Sequence, residues 1–440
     1  MTSCLPAIHV RRTSTLQRAL GILACSTFSL MFSASSALAD NLSWSTPESV
    51  GMSSERLDRI APVLQGYVDD GELAGIVSMV ARRGEVVHFE HYGTLDMNSG
   101  QEVAGDSIFR IYSMTKPITT LAVMLLYEEG LLQLTDPVEK YLPAFEDVRV
   151  TGPGGALVAP SRPMTVQMLM THTSGLTYGV FGDTLVDRLY RDAEVMSAPD
   201  NTAFAQRLGS IPLQYQPGTR FHYSVATDVL GALVEAVSGQ TLGDFMHERI
   251  FAPLEMHDTF FQVPADKLGR FGTNHIFNPR SGQLEVSDSP ESSNFVNRRT
   301  FESGGGGLLS TAEDYMRFSQ MLLNGGELGG ERIIGSKTLE YMVQNHLPGI
   351  FGDNGEHSPN QLPGFTDGTG FGLGFAVIED QTAAGGVGSS GEYYWGGAAG
   401  TIFWLDPVED LAGIVMIQHM NVQVPVRAAF KAITYGAIID

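Results

Sequence analysis

Residues 113–130 read SMTKPITTLAVMLLYEEG, and this stretch decides the fold assignment. Pro117 lacks a backbone N–H and is tolerated only in the first turn of a helix, so a helix is predicted to begin at about Ser113. Apolar residues then recur at helical spacing until Gly130, namely Ile118, Leu121, Ala122, Leu125 and Leu126. Residues three apart share one helix face, with about 5–6 Å between Cβ atoms, which places Lys116 beside Ser113. An amine beside a hydroxyl is the minimum for an activated serine nucleophile.

Two later segments favour a catalytic interpretation of this pair. By itself, a serine three residues before a lysine is more typical of a helix-capping serine and a solvated lysine than of a catalytic pair. The sequence Tyr-Ser-Val at 223–225 precedes a predicted helix, and Trp-Gly-Gly-Ala at 395–398 lies in a predicted strand. The alternatives for these segments are a buried core tyrosine and a glycine bulge, respectively.

The order of these three motifs resembles that of the serine β-lactamase and penicillin-binding-protein superfamily. Within it, the chain is most similar to the family VIII carboxylesterases, which look like class C β-lactamases but mainly hydrolyse simple esters. The stretches LMTHTSGL at 169–176 and GGGGLLST at 304–311 fit the same group, and the resemblance covers roughly residues 45–440. It implies an α/β (α+β) fold in which an antiparallel sheet is flanked by helices and carries an inserted helical lobe.

The pattern of predicted elements agrees with that fold, because strands lie at both ends of the chain and helices lie between them. Strands are predicted at 75–81, 85–93, 374–378, 393–398, 401–406 and 411–419, the first two as a hairpin. Helices are predicted at 53–70 and 225–237, from a capping box at 310–313 to 325, and at 425–439, with loops at 280–300 and 345–370. We expect an α/β lobe at about 40–112 and 300–440, a helical lobe at about 113–299, and an active site in the cleft between them.

The N-terminal segment 1–39 has the pattern of a secretory signal. Arg11, Arg12 and Arg18 stand without acidic neighbours before an apolar run at 19–32 and a small-residue cleavage site at 37–39. We therefore expect a mature chain at 40–440 that is periplasmic or extracellular and has no stable membrane insertion. A twin-arginine signal and a lipoprotein box ending at Cys25 remain alternatives.

Composition excludes several classes of function. Cys4 and Cys25 both lie in the signal segment, so the rest of the chain has no disulfide, thiol nucleophile or thiolate metal ligand. With 49 acidic against 27 basic residues the net charge is −22, which argues against a nucleic-acid partner. No cofactor or metal is expected: the H-E-x-x-H motif is absent, and His88 and His91 would point to opposite faces of their strand. The sequence does not indicate an oligomeric state.

The resemblance implies a role for each motif residue. Ser113 would attack the substrate carbonyl and become acylated, while Lys116 and Tyr223 would share the proton transfers. Tyr223 is the expected donor to the leaving oxygen and the activator of the deacylating water. The backbone N–H groups of Ser113 and Ala398 would form the oxyanion hole.

The chain departs from β-lactamases at two positions, and both point to an uncharged substrate. Trp395 stands where they carry a cation for the substrate carboxylate, and Val225 stands where they carry an asparagine. Trp395 would form an apolar wall, and Gly396 and Gly397 would leave room for substrate along the strand. Losing the cation also predicts activity that rises at alkaline pH.

The sequence therefore predicts a serine hydrolase of short-chain carboxylic esters with a small-molecule substrate. A β-lactamase or D-amino-acid peptidase on the same scaffold, and a non-catalytic peptidoglycan- or ligand-binding module, remain open. The absence of Gly-x-Ser-x-Gly argues against an α/β-hydrolase. His172 and Ser174 are interpreted as part of a structural turn beside the cleft.

Overall fold

The computed structural model describes residues 42–297, 300–348 and 367–440. The predicted signal segment and residues 349–366 of the predicted loop at 345–370 lie outside the described residues. The strands are β1 (Ser43–Trp44), β2 (Gly75–Arg82), β3 (Glu85–Asp96), β4 (Gln101–Glu102), β5 (Phe109–Arg110), β6 (Val150–Thr151), β7 (Leu157–Val158), β8 (Asn274–Asn278), β9 (Gln283–Asp288), β10 (Leu309–Ser310), β11 (Glu327–Leu328), β12 (Glu331–Arg332), β13 (Thr369–Phe371), β14 (Ala376–Ile378), β15 (Tyr393–Gly396), β16 (Ile402–Asp406), β17 (Leu411–Ile417) and β18 (His419–Met420). The α-helices are α1 (Ser54–Leu57), α2 (Ile60–Asp69), α3 (Thr115–Glu128), α4 (Val166–Met170), α5 (Leu185–Asp192), α6 (Asn201–Gly209), α7 (Ala226–Ser238), α8 (Leu242–Met246), α9 (Ala312–Leu323), α10 (Ser336–Met342), α11 (Gln381–Ala384) and α12 (Val426–Gly436).

The central sheet joins both ends of the described chain. Its strand order is β1-β3-β2-β17-β16-β15-β14-β13, with β4 paired to β3. Neighbouring strands are antiparallel except for the parallel pair of β1 and β3. The predicted hairpin is confirmed as β2 and β3, and β17 pairs along the other edge of β2. The expected antiparallel sheet with flanking helices is thus confirmed.

Helices cover both faces of this sheet. On β16, adjacent side chains point to opposite faces. The ring of Phe403 lies 5.0 Å from Tyr315 on α9, whereas Trp404 lies 5.4 Å from Phe430 on α12. Because both faces are covered, all eight residues of β2 are buried and no alternation of apolar and polar residues is visible along it.

The helices between the two sheet-forming parts centre on α3 and α7, which pack against each other. The first twelve residues of α3, Thr115 to Leu126, are all buried. The predicted helix at 225–237 is α7, and it ends at Gly239, whose φ of 74° is the left-handed conformation that favours glycine. The lobe boundaries stay a prediction, because the described residues belong to one compact unit.

Four predictions about elements are wrong in detail. The helix expected at 53–70 is two helices, because Pro62 must lie in a first turn and α2 therefore begins afresh at Ile60. The helix α9 is capped by Thr311, which accepts from the Asp314 N–H at 3.1 Å, rather than by the residue before it. Strands β8 and β9 lie where helices and loops were expected, because β8 pairs with the distant β18. Strand β13 was missed as well.

Candidate active site

Ser113 lies in a 3₁₀ turn, Tyr112–Met114, which leads directly into α3. The preceding Tyr112 has a φ of 40°, a left-handed conformation that is costly for a residue with a side chain and is found most often at functional sites. This turn leaves Ser113 partly accessible although the helix behind it is buried. The helix start predicted at about Ser113 is correct to within two residues.

Lys116 lies in the first turn of α3 and is almost completely buried. Its Nζ donates to Ser113 Oγ at 3.2 Å, to the Tyr178 hydroxyl at 3.0 Å and to the Gly305 carbonyl at 2.6 Å. Three acceptors match the three N–H bonds of an ammonium group, so the geometry fits the charged form. The ammonium also lies 4.7 Å from the centre of the Tyr223 ring, within cation–π distance.

Tyr223 lies in the loop directly before α7, and its hydroxyl donates to Ser113 Oγ at 2.7 Å. The three side chains predicted to do chemistry are therefore in mutual contact. Ser113 Oγ is the common acceptor, reached by the phenol of Tyr223 and by the amine of Lys116.

His172 packs beneath Tyr223, with 4.7 Å between the ring centroids. Its Nδ1 lies 3.4 Å from Ser224 Oγ, and its carbonyl accepts from the His222 N–H at 2.8 Å. Complete burial holds the pKa of His172 well below its usual range, with smaller contributions from the charges on Lys116 and His222, so the imidazole is neutral. This agrees with the structural interpretation of His172, whose partner is Ser224 rather than Ser174.

Trp395 lies on β15 and is part of an aromatic wall formed by Phe221, Phe371 and Trp395. The Trp395 ring lies 5.7 Å from Tyr223 and 5.4 Å from Phe371, and Phe371 lies 5.2 Å from Phe221. Trp395 and Phe371 are both buried, so position 395 gives Tyr223 an apolar packing partner and not a charged one.

Ala398 is exposed in the turn that follows β15. Within the described part of the chain, neither its N–H nor that of Ser113 donates to another residue.

Gly397 was expected to leave room for substrate, but the structure gives another reason for it. A Cβ at Gly397 would lie 2.4 Å from the Ile111 carbonyl, so glycine lets β15 approach the turn that carries Ser113. At Gly396 the nearest atom to such a Cβ is the Thr401 carbonyl at 3.2 Å.

Sequence reasoning missed two residues: Tyr178, which contacts this cluster, and Asp228, which is connected to it through Gly305. Burial, and then the charges of Tyr223 and Asp228, raise the pKa of Tyr178 well above its usual range. Asp228 is fully buried in the first turn of α7, and its Oδ1 accepts from the Gly305 N–H at 3.0 Å and from the Ser303 hydroxyl. An aspartate inside an apolar helical run was a visible signal for Asp228, but no local pattern marks Tyr178.

One peptide group therefore connects Asp228 to Lys116. Gly305 donates its N–H to the carboxylate and offers its carbonyl to the ammonium. A Cβ at Gly305 would lie 2.4 Å from Asp228, so the glycine-rich segment at 304–307 allows this approach. Burial raises the pKa of Asp228, and the charge of Lys116 partly offsets that effect.

Neither a metal centre nor a membrane span is found within 42–297, 300–348 and 367–440. No three His, Cys, Asp or Glu residues in these ranges are grouped so as to hold a metal ion. None of the helices there combines the length and the apolar character needed to cross a bilayer. His88 is buried while His91, three residues along β3, is exposed, as expected for opposite faces.

Comparison with known proteins identifies close relatives along most of the chain. Residues 60–436 match the beta-lactamase family. The chain is 35% identical over 371 residues to Protein Rv1367c of Mycobacterium tuberculosis, covering 82% of this chain and 90% of that one. It is 30% identical over 400 residues to Esterase EstB of Burkholderia gladioli, covering 86% and 95%. Among solved structures, EstCE1, a hydrolase with promiscuous acyltransferase activity, superimposes with a TM-score of 0.74 at 26% identity and covers 88% of this chain and 99% of that one.

Proposed function

This chain belongs to the beta-lactamase family of serine hydrolases, and on that premise we propose that it cleaves short-chain carboxylic esters through an acyl-enzyme on Ser113. The observation that carries the proposal is the convergence of the Lys116 amine and the Tyr223 phenol on Ser113 Oγ, at 3.2 and 2.7 Å. A positioned base within hydrogen-bond distance is what converts a serine into a nucleophile. The relatives named as esterases support ester cleavage.

The reaction would proceed in two displacements. When the pair of Tyr223 and Lys116 has lost one proton, Ser113 Oγ forms a bond to the ester carbonyl carbon while its own proton passes to that pair. The carbon–oxygen bond to the alcohol then breaks, and the leaving oxygen takes a proton from Tyr223. A water molecule attacks the acyl-enzyme, gives its proton back through Tyr223, and releases the carboxylic acid and free Ser113. One water is consumed, and one acid and one alcohol are formed.

The oxyanion of each tetrahedral intermediate would be bound by the backbone N–H groups of Ser113 and Ala398. Both donors lack a partner in the described part of the chain, as a ready anion site requires. Removing one such donor typically costs about 2.7–4 kcal/mol of transition-state stabilisation.

A neutral ester suits the site better than an anionic β-lactam. Position 395 holds the apolar ring of Trp395 beside Tyr223 instead of a cation, so a substrate carboxylate brought there would lose hydration without gaining a partner. This favours the esterase over the β-lactamase or D-amino-acid peptidase that the scaffold could also support.

The test compares initial rates on p-nitrophenyl butyrate and on a chromogenic cephalosporin, with Ser113→Ala alongside. We expect rapid ester turnover, little cephalosporin turnover and an inactive variant. Cephalosporin turnover equal to the ester rate would favour the β-lactamase, and ester activity that survives in Ser113→Ala would reject the nucleophile. A non-catalytic binding module would also fail to be labelled by a serine-directed fluorophosphonate.

We further propose that residues 1–39 direct export to the periplasm or beyond and are removed. The basic start, the apolar run and the small-residue site at 37–39 support this proposal. Mass spectrometry of the exported protein tests it, since a mature N-terminus at Asp40 is expected.

A further inference from the structure

Two adjacent apolar side chains stand exposed close to the Ser113 cluster. Val180 is 67% and Phe181 is 71% exposed, in the loop between α4 and α5. Single exposed apolar residues are ordinary in folded proteins. Two adjacent ones beside a catalytic cluster, however, form an apolar surface on which a ligand can pack. We call the group formed by Tyr178, Val180 and Phe181 the apolar rim.

The loop that carries the rim is held in place by charged side chains of α5. Arg191 Nη1 donates to the Gly179 carbonyl at 2.6 Å and to the Gly182 carbonyl at 3.1 Å. Arg188 Nη1 donates to the Asp183 carbonyl at 2.6 Å, and both arginines form ion pairs with the Asp183 carboxylate. The exposed side chains are therefore presented on a fixed backbone, which lowers the entropy lost when a ligand packs on them.

The rim is continuous with the reacting groups. The Phe181 ring meets the Tyr178 ring edge to face at 5.4 Å between centroids. The Tyr178 ring in turn lies 5.4 Å from the Tyr223 ring, and its hydroxyl is the acceptor of Lys116. A single aromatic ring thus separates Phe181 from Tyr223 and Lys116.

We propose that the apolar rim binds the alcohol portion of the ester, and that the enzyme prefers esters of bulky apolar alcohols. This rests on the proposed function, in which Tyr223 protonates the leaving oxygen, so the alcohol must lie on the Tyr223 side of Ser113. An aryl or long alkyl alcohol packed on Phe181 and Val180 would be removed from water on a surface that already exists. The acyl group, on the opposite side of the scissile bond, would not contact the rim.

The experiment varies one half of the ester at a time. Ethyl butyrate and 2-phenylethyl butyrate share an acyl group and have primary alcohols of similar leaving ability, and ethyl acetate and ethyl hexanoate vary the acyl group alone. Rates are followed by pH-stat titration for the parent, Phe181→Ala and Phe181→Leu. The control is Val408→Ala, which removes an equally exposed apolar side chain (69%) from the turn between β16 and β17.

We expect the parent to favour 2-phenylethyl over ethyl butyrate in kcat/KM. Phe181→Ala should reduce that preference about tenfold through KM, Phe181→Leu should fall between, and Val408→Ala should match the parent. Product inhibition by 2-phenylethanol should weaken in parallel, a readout that does not depend on turnover of the bulky ester. The ratio of hexanoate to acetate rates should not change.

Three results would overturn the proposal: no preference in the parent, an equal loss on both butyrates in Phe181→Ala, or a change in the acyl series instead. Failure of the proposed function has a different signature, because then no ester would be turned over in a Ser113-dependent way.

Discussion

Among single residues, Lys116 holds the site together, because it uses all three of its N–H bonds on groups from different parts of the chain. Ser113 lies in the 3₁₀ turn that leads into the helix of Lys116, whereas Tyr178 and Gly305 arrive from loops far along the sequence. A buried ammonium needs such partners, since an unpaired buried charge costs several kcal/mol. Changes at either distant partner should therefore act on catalysis through Lys116.

Tyr178→Phe removes one acceptor of Lys116 and keeps the ring that contacts Phe181 and Tyr223. A hydrogen bond to a charged group is worth about 1.5–3 kcal/mol, so kcat on p-nitrophenyl butyrate should fall at least about tenfold while KM changes little. The control is Tyr141→Phe, which also deletes a hydroxyl bonded to a charged group, the Asp136 carboxylate at 2.5 Å. Equal kcat values for the parent and Tyr178→Phe would contradict the role assigned to this hydroxyl.

Asp228→Asn keeps an acceptor for the Gly305 N–H but removes the negative charge one peptide away from Lys116. Without its counter-charge the ammonium is less favoured, so the pH profile of kcat/KM should move toward lower pH by about one unit. The measurement is that profile on an uncharged ester between about pH 5 and 10.

A matched control for Asp228→Asn is Glu392→Gln, which removes a fully buried carboxylate bonded to Lys431 at 2.6 Å under the C-terminal helix. That variant should lose stability and keep the parental profile. An unmoved profile in Asp228→Asn would mean that the side chain is protonated in the parent, where burial raises its pKa, and acts only as a hydrogen-bonding group.

At this scale the sequence predicted the contact of Ser113 with Lys116 from helix spacing alone. The contact with Tyr223 followed only from the resemblance, because the two residues are 110 positions apart and no local pattern joins them. Tyr178 was not predicted at all, since a tyrosine in a loop has no signal until the fold brings it to Lys116.

Among the elements, helices and hairpins with strong local patterns were predicted best. α3 and α7 are bounded by proline and glycine signals, and β2 and β3 are joined by a tight turn. α3, α7 and β2 are within two residues of their predicted bounds, and β3 runs three residues past its predicted end. β9 and β13 belong to local hairpins, with β8 and β14 respectively, and were missed although their partners lie close in sequence. β8 has no clear alternation and also pairs with the distant β18, where His275 lies opposite His419. Pairing between distant strands is a tertiary effect, and the local β-propensity of a segment does not predict it.

The interface of the β2–β3 hairpin with α12 should make stability sensitive to acid through His88. Its ring lies 2.8 Å from Ser78 Oγ and 6.1 Å from Phe430, and burial lowers its pKa to about 4. In the unfolded chain the imidazole gains a proton as the pH falls through about 6.5, while in the folded chain it stays neutral until about 4. The free energy of unfolding should therefore decrease over this window, by about 2 kcal/mol between pH 7 and pH 5.

His88→Gln should remove that decrease, and His91→Gln, on the exposed face of the same strand, should retain it. Urea unfolding at pH 7 and pH 5 measures the difference between the variants. The comparison of variants matters because burial raises the pKa of Asp314 to about 7, which gives a slope of the opposite sign in the same window. An identical pH dependence in His88→Gln and the parent would reject the assignment.

For the whole molecule, Arg82 ties the first and last described segments to the sheet. Its guanidinium donates to the carbonyls of Val50 at 2.9 Å, Gly51 at 3.0 Å and Glu409 at 3.2 Å, and to the carboxylates of Glu409 at 2.9 Å and Asp440 at 2.7 Å. Arg82 itself is 3% exposed. One side chain thus joins the first described segment, the turn between β16 and β17, and the end of the chain.

Arg82→Met should lower the free energy of unfolding by about 2–4 kcal/mol, because it removes the side-chain donor of the buried Val50 carbonyl and breaks the ion pairs with Glu409 and Asp440. Arg83→Met removes a neighbouring arginine that is 49% exposed and forms a single ion pair with Asp440, so its cost should stay below about 1 kcal/mol. Denaturant unfolding of both variants tests the contrast, and similar losses in the two would mean that the Arg82 contacts are not what joins these segments.

The position of β2 in the sheet has a consequence for the order of events during synthesis. All eight of its residues are buried, yet its partner β17 follows about 330 residues later, so ribosomes working at about 5–20 residues per second need roughly 15–60 seconds to supply it. Until then the nascent chain has an open apolar strand edge of the kind that recruits other chains. Overproduction should therefore be limited by aggregation of unfinished or newly released chains, and slower translation at lower temperature should not by itself shorten that exposure.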